Sequence, residues 1–214
     1  MRLPLLALAC WAGLADGHDL WLDVQPAAPA PDAPVTVIVG GGHYFPSSDS
    51  ALSDRLVRSL QVRQPDGQLA DLPSALKGKQ REAMLTPREP GLHVLTLVVQ
   101  KPQLAQPEYW ARALLPVASG PASPYPAAGV GLEIIPRGDL AALRVGQVLQ
   151  LEIRHDGAPL DGKLQVVAEG GGADWLTARA ETPAKLTLRK PGRYLITFAK
   201  GPQSCSLTFT VPVS

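Results

Sequence analysis

The sequence predicts an all-β protein built as two tandem β-sandwich domains, and three observations lead to that prediction. Alternating apolar and polar residues recur in short runs, such as VTVIV at 35–39 and LQLEI at 149–153. Turn-forming residues separate these runs, as in PDG at 65–67 and DG at 156–157. The two halves of the chain also contain similar segments. Short strands at this spacing, each followed by a turn signal, are typical of β-sandwiches.

The internal repeat consists of LTPREPGLHVLTL at 85–97 and LTLRKPGRYLITF at 186–198. The two segments align at one constant offset, with a Pro-Gly pair at the same place in each. A Pro-Gly pair before a β-branched and aliphatic run is typical of a strand that begins after a tight turn. Further strand-like runs occur at 60–62 and 164–167. The repeat therefore predicts one sandwich in each half.

The first 17 residues, MRLPLLALACWAGLADG, have the pattern of a secretory signal peptide. Arg2 supplies the positive start, an apolar stretch follows at 3–14, and small residues come next. We therefore expect export to the periplasm and removal of this segment. Small residues at the required positions allow cleavage after Gly17 or after Ala15. The mature chain would begin at His18 in the first case and with Asp-Gly-His in the second.

A Pro-rich segment divides the remaining chain. PVASGPASPYPAAG at 116–129 contains four prolines among Ala, Ser and Gly, which predicts an extended and semi-rigid connector. We predict a first domain at 18–117, a linker at 118–128 and a second domain at 129–214. Helix is expected to be scarce, with residues 50–60 and 107–115 as the only plausible short helices and strand as the alternative for both.

His18 carries the most specific chemical signal. In a chain that begins at His18, the α-amine and the imidazole can chelate one metal ion as half of a histidine brace. In a chain that begins at Asp16, the amine, two backbone amides and the imidazole can form a square-planar site. Such nitrogen-rich sites suit Cu²⁺ or Ni²⁺. The alternative is that His18 simply begins the first strand.

Two further histidines in the first domain are candidate ligands. His43 follows the 35–39 run in a Gly-rich loop that permits close approach to a ligand, and we predict it as the second imidazole. His93 occupies the slot that Tyr194 has in the repeat, which favours a packing role like that of a tyrosine corner and leaves a third metal ligand as the alternative. Nearby oxygen donors that spacing does not single out are Asp19, Tyr44 and Asp49.

Composition and motifs exclude several function classes. A net charge of +1 lacks the basic footprint of a nucleic-acid binder. The sequence contains no nucleophile elbow, zinc-protease motif, phosphate-binding loop or dinucleotide fingerprint. Two cysteines cannot build a disulfide scaffold or a four-cysteine zinc site, and Cys205 is predicted as a small core residue. His155 is predicted as a solvated residue at the head of a turn.

The chain resembles an exported bacterial family that carries a domain of unknown function and is often assigned to periplasmic nickel or cobalt uptake. The resemblance rests on HDLWLDV at 18–24, GHYFP at 42–46, the segment 128–167 and PGRYLITF at 191–198. It implies two tandem Ig-like or fibronectin-like β-sandwich domains in the periplasm. It also implies binding of Ni²⁺ or Co²⁺ and a membrane metal transporter as the partner, with His18 and His43 as ligands.

We therefore expect a non-enzymatic protein that binds Ni²⁺ or Co²⁺, with Cu²⁺ chemically reasonable, through His18, His43 and, as a weaker candidate, His93. Its metal affinity should fall below about pH 6 as the imidazoles become protonated. One alternative is a histidine-brace copper enzyme, against which the 5% aromatic content argues. Another is an Ig-like structural or adhesion module with incidental histidines.

Overall fold

The computed structural model describes residues 19–101, 109–118 and 124–213. The expectations for the signal peptide and for His18 lie outside these residues. In the described chain the secondary structure is sixteen strands and one short 3-10 turn at Asp54–Leu56. The predicted all-β class is confirmed. None of the described residues form a helix with the length and apolar character needed to cross a bilayer.

Eight strands belong to the first half of the chain. They are β1 (Asp19–Gln25), β2 (Val35–Gly42), β3 (Val57–Arg63), β4 (Leu69–Asp71), β5 (Ser74–Lys77), β6 (Gln80–Leu85), β7 (Gly91–Val99) and β8 (Tyr109–Val117). The predicted strand at 35–39 lies within β2 and the one at 60–62 lies within β3. The sequence allows a short helix or a strand at 50–60 and 107–115; the first contains the 3-10 turn and the start of β3, whereas the described part of the second is strand β8.

Eight more strands follow in the second half. They are β9 (Leu132–Arg137), β10 (Val148–His155), β11 (Ala158–Leu160), β12 (Gly162–Ala168), β13 (Ala173–Ala178), β14 (Ala184–Thr187), β15 (Gly192–Lys200) and β16 (Gln203–Val211). The two Pro-Gly turns of the repeat lead into β7 and β15. The first residues of these strands, Gly91 and Gly192, have φ angles of +130° and +113°. Glycine tolerates such angles and residues with a Cβ do not, which explains why both turns use it.

The strands form three sheets, and one of them spans both halves. A four-stranded sheet has the order β1-β2-β6-β5, and another small sheet has the order β11-β10-β14 with β9 also paired to β10. The third sheet has eight strands in the order β13-β12-β15-β16-β8-β7-β3-β4. Its halves meet where β16 pairs in parallel with β8, from Ser204 beside Tyr109 to Thr208 beside Ala113. The two predicted sandwiches therefore share one continuous sheet.

Two hydrophobic cores lie on opposite faces of the shared strands. Leu95, Leu97 and Ala111 contribute to the core of the first half. The alternate residues Val94 and Leu114 belong to the core that contains most of the second half. This division follows from the period of two along a strand, which sends successive side chains to opposite faces. Strands β7 and β8 are consequently buried on both sides.

A buried polar network fixes the chain just before β9. Arg112 and Glu133 lie inside the protein, with Arg112 Nε at 3.5 Å from Glu133 Oε1. Tyr125, within the predicted linker, is buried and donates a hydrogen bond to Glu133 Oε1 at 3.1 Å. The backbone N–H groups of Ala128 and Gly129 also donate to the Glu133 carboxylate. The described end of the linker is thus docked onto the second core.

Cys205 lies in the second core and is fully buried. Desolvation raises the pKa of its thiol to about 12. A thiol with so high a pKa is almost entirely protonated at neutral pH, and it is therefore a poor nucleophile and a poor metal ligand. The prediction of a small core residue is confirmed.

Candidate metal site

The register between β1 and β2 determines what surrounds the start of β1. The two strands are antiparallel, and their first pair joins Asp19 to Gly42. Asp19 directly follows His18 in the sequence, and Gly42 directly precedes His43. The loop after β2 and the beginning of β1 therefore meet at the same end of the small sheet, and His43 lies exposed at that end.

The glycines before His43 allow two close contacts. A Cβ on Gly40 would lie 2.3 Å from Nε1 of Trp21, whose buried indole lies directly over the backbone of β2. A Cβ on Gly42 would lie 2.3 Å from Oδ1 of Asp49, and Gly42 has a φ of +142°. The glycine-rich sequence thus lets an indole and a carboxylate pack against the bare backbone.

The loop after β2 folds back on that strand. The backbone N–H groups of Asp49 and Ser50 donate to Gly41 O at 3.0 and 3.2 Å. Ser48 Oγ accepts the Gly41 N–H at 3.0 Å and lies 2.7 Å from Lys79 O, to which it donates. Phe45 packs edge-on against Trp21, with ring centroids 5.5 Å apart. These contacts hold Asp49 beside His43.

His43 and Asp49 form a polar pair at the end of the sheet. The His43 backbone N–H donates to Asp49 Oδ2 at 3.2 Å, and His43 Nδ1 lies 3.4 Å from the same oxygen. The side chains are 50% and 33% exposed, so solvent reaches both. Burial raises the pKa of the nearby Asp19 carboxyl, and attraction to His43 partly opposes that rise. The Tyr44 ring is 6.3 Å from the His43 ring.

His93 lies far from this end. The hydroxyl of Tyr109 donates to Leu20 O and accepts the Leu20 N–H, and this links the beginning of β8 to the beginning of β1. Tyr109 pairs with Val99, whereas His93 pairs with Leu115, six residues further along both strands. At about 3.3 Å per residue, six residues span about 20 Å. The structure therefore does not bring His93 to His43.

The environment of His93 resembles a packing position. Its side chain is 1% exposed, and neither ring nitrogen makes a hydrogen bond of normal geometry. Desolvation lowers its pKa, although a contact with the backbone of Gly91 partly opposes that fall. It lies on the wall of a cavity of about 340 Å³ that Gln64, Thr86 and Arg88 also line.

The repeat explains this environment. In the equivalent slot the Tyr194 hydroxyl donates to Lys190 O at 2.9 Å and accepts the Lys190 N–H at 3.2 Å. Tyr194 is thus a tyrosine corner of the kind that the sequence predicts. The imidazole of His93 replaces the phenol at this position without making a corresponding hydrogen bond.

The described residues contain no complete group of metal-binding side chains. Across residues 19–101, 109–118 and 124–213, no three His, Cys, Asp or Glu side chains are grouped closely enough to hold a metal ion. The pair of His43 and Asp49 does not by itself make such a group. His155 lies at the end of β10, where the turn to β11 begins.

Asp49 is the feature that the sequence alone did not single out. Asp49 follows His43 by six residues, and spacing alone does not favour it over Asp19 or Tyr44 as an oxygen donor near His43. The sequence feature that indicates this contact is the glycine before His43, because the absence of a Cβ leaves room for a side chain from the following loop to pack there.

The chain has only low similarity to proteins of known structure. No curated protein matches the chain. Among solved structures, the ectodomain of mouse nectin-like molecule 4 is 12% identical; the match covers 90% of this chain and 62% of that chain, with a TM-score of 0.27. A two-domain fibronectin type III segment of chicken tenascin is 14% identical, with 91% and 98% covered and a TM-score of 0.28. The Escherichia coli adhesin FdeC is 14% identical, with 91% and 63% covered and a TM-score of 0.29.

The first of these structures consists of Ig domains and the second of fibronectin type III domains, and similarity at this level carries no argument about activity. The family comparison is more specific. A family model described as a domain of unknown function (DUF4198) matches residues 15–201, which include the loop with His43 and both segments of the repeat. The chain belongs to this DUF4198 family.

Proposed function

We propose that this protein is a periplasmic divalent-metal-binding protein that assists metal uptake through a membrane transporter. Ni²⁺ or Co²⁺ is the preferred ion in this proposal, and Cu²⁺ is chemically acceptable. The observation that supports it is the pairing of Asp19 with Gly42. Because of this register, Asp19, the residue that follows His18 in the sequence, lies opposite Gly42, the residue that precedes His43.

The distances involved suit a shared ion. Consecutive α-carbons are about 3.8 Å apart, and neighbouring strands are about 4.8 Å apart. His18 is one residue from Asp19 and His43 is one residue from Gly42, so these spacings separate the two α-carbons by at most about 12 Å. The terminal amine and the two imidazoles could then reach one ion and provide three nitrogen ligands, a donor set that suits Ni²⁺ or Cu²⁺.

His93 is left out of the proposed ligand set. It lies about 20 Å along the strands from the Asp19 end, and its imidazole is buried. The proposed ligands are therefore the mature N-terminus, His18 and His43. Export and delivery to a transporter rest on the signal-peptide pattern and on the family resemblance. The second half, which has no histidine pair, would act as a spacer or as a docking surface for the transporter.

The test is metal titration of the secreted mature protein. Intact-mass spectrometry gives the cleavage point, and calorimetric titration with Ni²⁺, Co²⁺, Cu²⁺ and Zn²⁺ gives stoichiometry and affinity. We expect one ion per chain, with His18→Ala abolishing stoichiometric binding. His43→Ala should weaken binding by more than about 100-fold, because even residues that only orient a ligand typically account for 10–100-fold.

The matched control is His155→Ala, which removes a partly exposed histidine at a hairpin in the other half. Its affinity should equal that of the wild type. If the His18 and His43 variants bind metal as tightly as the control, the proposal is wrong.

An Ig-like structural module is the second candidate. Two observations favour it: the sheets are of the sandwich type, and the described residues alone do not complete a three-ligand group. On this alternative the wild-type protein would bind none of the four ions stoichiometrically, and metal-free protein would retain all of its partner binding. The titration above separates the two candidates.

A further inference from the structure

We propose that Asp49 is a positioning residue of this site. Its carboxylate holds the proton of neutral His43 on Nδ1, which leaves the lone pair on Nε2 to bind the metal. The metal part of this inference rests on the proposed function. The position of the proton rests on the contacts between His43 and Asp49 and not on a bound metal, so the two can be tested separately.

The two contacts between these residues converge on one oxygen. Asp49 Oδ2 accepts the His43 backbone N–H at 3.2 Å and lies 3.4 Å from His43 Nδ1. A carboxylate can only accept, so the hydrogen between Nδ1 and Oδ2 must belong to the imidazole. Neutral imidazole carries a single N–H, and a proton on Nδ1 leaves Nε2 unprotonated. In water the opposite tautomer, protonated on Nε2, is the more stable one.

Asp49 is held in place independently of the imidazole. Its carboxylate occupies the space over Gly42 that a Cβ would fill, with Oδ1 2.3 Å from that position. Its own backbone N–H donates to Gly41 O at 3.0 Å. The carboxylate is therefore fixed by strand β2 and is ready to orient the ring before a metal arrives. Such a partner on the second ring nitrogen is typical of histidine ligands, since it fixes both tautomer and ring orientation.

This geometry argues against Asp49 as a direct ligand of the same ion. The two ring nitrogens of imidazole point in divergent directions. An oxygen beside Nδ1 is consequently on the wrong side of the ring to bind an ion held by Nε2. Asp49 thus acts on the metal through His43.

The first experiment uses metal-free, ¹⁵N-labelled mature protein at a pH where histidine is neutral. Long-range ¹H–¹⁵N correlation spectra report which ring nitrogen of each histidine carries the proton. We expect Nδ1–H for His43 in the wild type and Nε2–H in Asp49→Ala. Asp49→Asn should retain Nδ1–H, because the amide oxygen can still accept. The control is Asp174→Ala, which removes an exposed carboxylate on the edge strand β13 and should leave His43 unchanged.

The second experiment is Ni²⁺ titration of the same variants. Asp49→Ala should weaken binding by about 10–100-fold, the usual effect of removing such a partner, and Asp49→Asn should weaken it less. If wild-type His43 carries its proton on Nε2, or if Asp49→Ala leaves the tautomer unchanged, the inference is overturned. Equal loss of Ni²⁺ affinity in the Ala and Asn variants would identify Asp49 as a direct ligand and would also overturn it. A wild type that binds no metal but shows the Asp49-dependent tautomer would contradict only the proposed function.

Discussion

At the scale of single residues, the clearest contrast is between Tyr194 and His93. Both occupy the same slot of the repeat, but only the phenol makes hydrogen bonds to the backbone four residues earlier. His93 is buried beside a cavity of about 340 Å³, and neither ring nitrogen makes a hydrogen bond of normal geometry. Burying a polar group without a partner costs free energy. The first half therefore bears a local cost that the second half avoids.

Replacing His93 by tyrosine should recover that cost. We expect His93→Tyr to raise the free energy of unfolding by about 1 kcal/mol at pH 7.5, the typical net value of a hydrogen bond. Tyr194→Phe should lower it by about 1 kcal/mol, because it leaves partly buried backbone groups of Lys190 without their partner. Urea denaturation measures both. A His93→Tyr variant less stable than the wild type would show that the cavity cannot accommodate the phenol.

The stability difference between the wild type and His93→Tyr should depend on pH. Burial lowers the pKa of folded His93 below its ordinary 6.5. Above pH 6.5 His93 is neutral in both the folded and the unfolded chain, so its protonation does not reduce stability there. As the pH falls, the unfolded chain takes up a proton that the folded chain resists, so stability is lost toward the folded pKa. Urea denaturation at pH 7.5 and 5.0 should show the advantage of His93→Tyr growing on acidification. A constant difference between the two proteins would contradict this.

At the scale of elements, the end of β2 is the segment that places the candidate site. Gly40 admits the Trp21 indole, and Gly42 admits the Asp49 carboxylate. The glycines of β2 therefore allow the strand to pair with β1 and also to pack against the loop that follows it. The position of His43 depends on this seating, because Asp49 contacts both its backbone and its ring.

Gly42→Ala should disturb the site through the loop. The new Cβ would overlap the Asp49 carboxylate at a φ of +142°, which residues with a side chain rarely adopt. We expect a loss of about 1–3 kcal/mol in the free energy of unfolding. The Nδ1–H tautomer of His43 should also be lost. Gly172→Ala is the matched control, because a Cβ there meets nothing within 4 Å. Denaturation and the histidine spectra provide the measurements, and equal behaviour of the two variants would contradict the role given to Gly42.

At the scale of the whole molecule, the two halves are joined by more than a linker. The parallel pairing of β8 with β16 makes one sheet of eight strands, and the second core includes Trp110 and Leu114 from the first half. Arg193 of β15 also reaches back to β1, where it donates to Asp23 at 2.7 Å. Neither half can therefore unfold without exposing part of the other.

We expect the described fold to unfold in a single calorimetric transition whose calorimetric and van't Hoff enthalpies agree. Glu133→Ala should lower the free energy of unfolding by about 3–5 kcal/mol, because it leaves the buried Arg112 guanidinium without its carboxylate. Glu181→Ala removes an exposed carboxylate and should have little effect. Two well-separated transitions would show that the halves unfold independently.

The strands and the Pro-Gly turns were predictable because their signals are local. Alternation of side chains and a turn before a strand are properties of a few neighbouring residues, as in 35–39 and in the two segments of the repeat. The pairing of β8 with β16 was not predictable, because residues about 95 positions apart along the chain leave no common pattern. The contact between Asp49 and His43 was not predictable for a similar reason, since the conformation of the loop decides which of its side chains lies against His43.

The sequence by itself determined the all-β class, the repeat, the burial of Cys205 and the choice of His43 as a candidate ligand. Each depends on which residues stand next to each other. Only the tertiary structure decided that His93 lies at the far end of its strand, that the two sandwiches share one sheet, and that Asp49 lies against His43. Those facts depend on strand register and on which faces pack together, and these are set by contacts between distant parts of the chain.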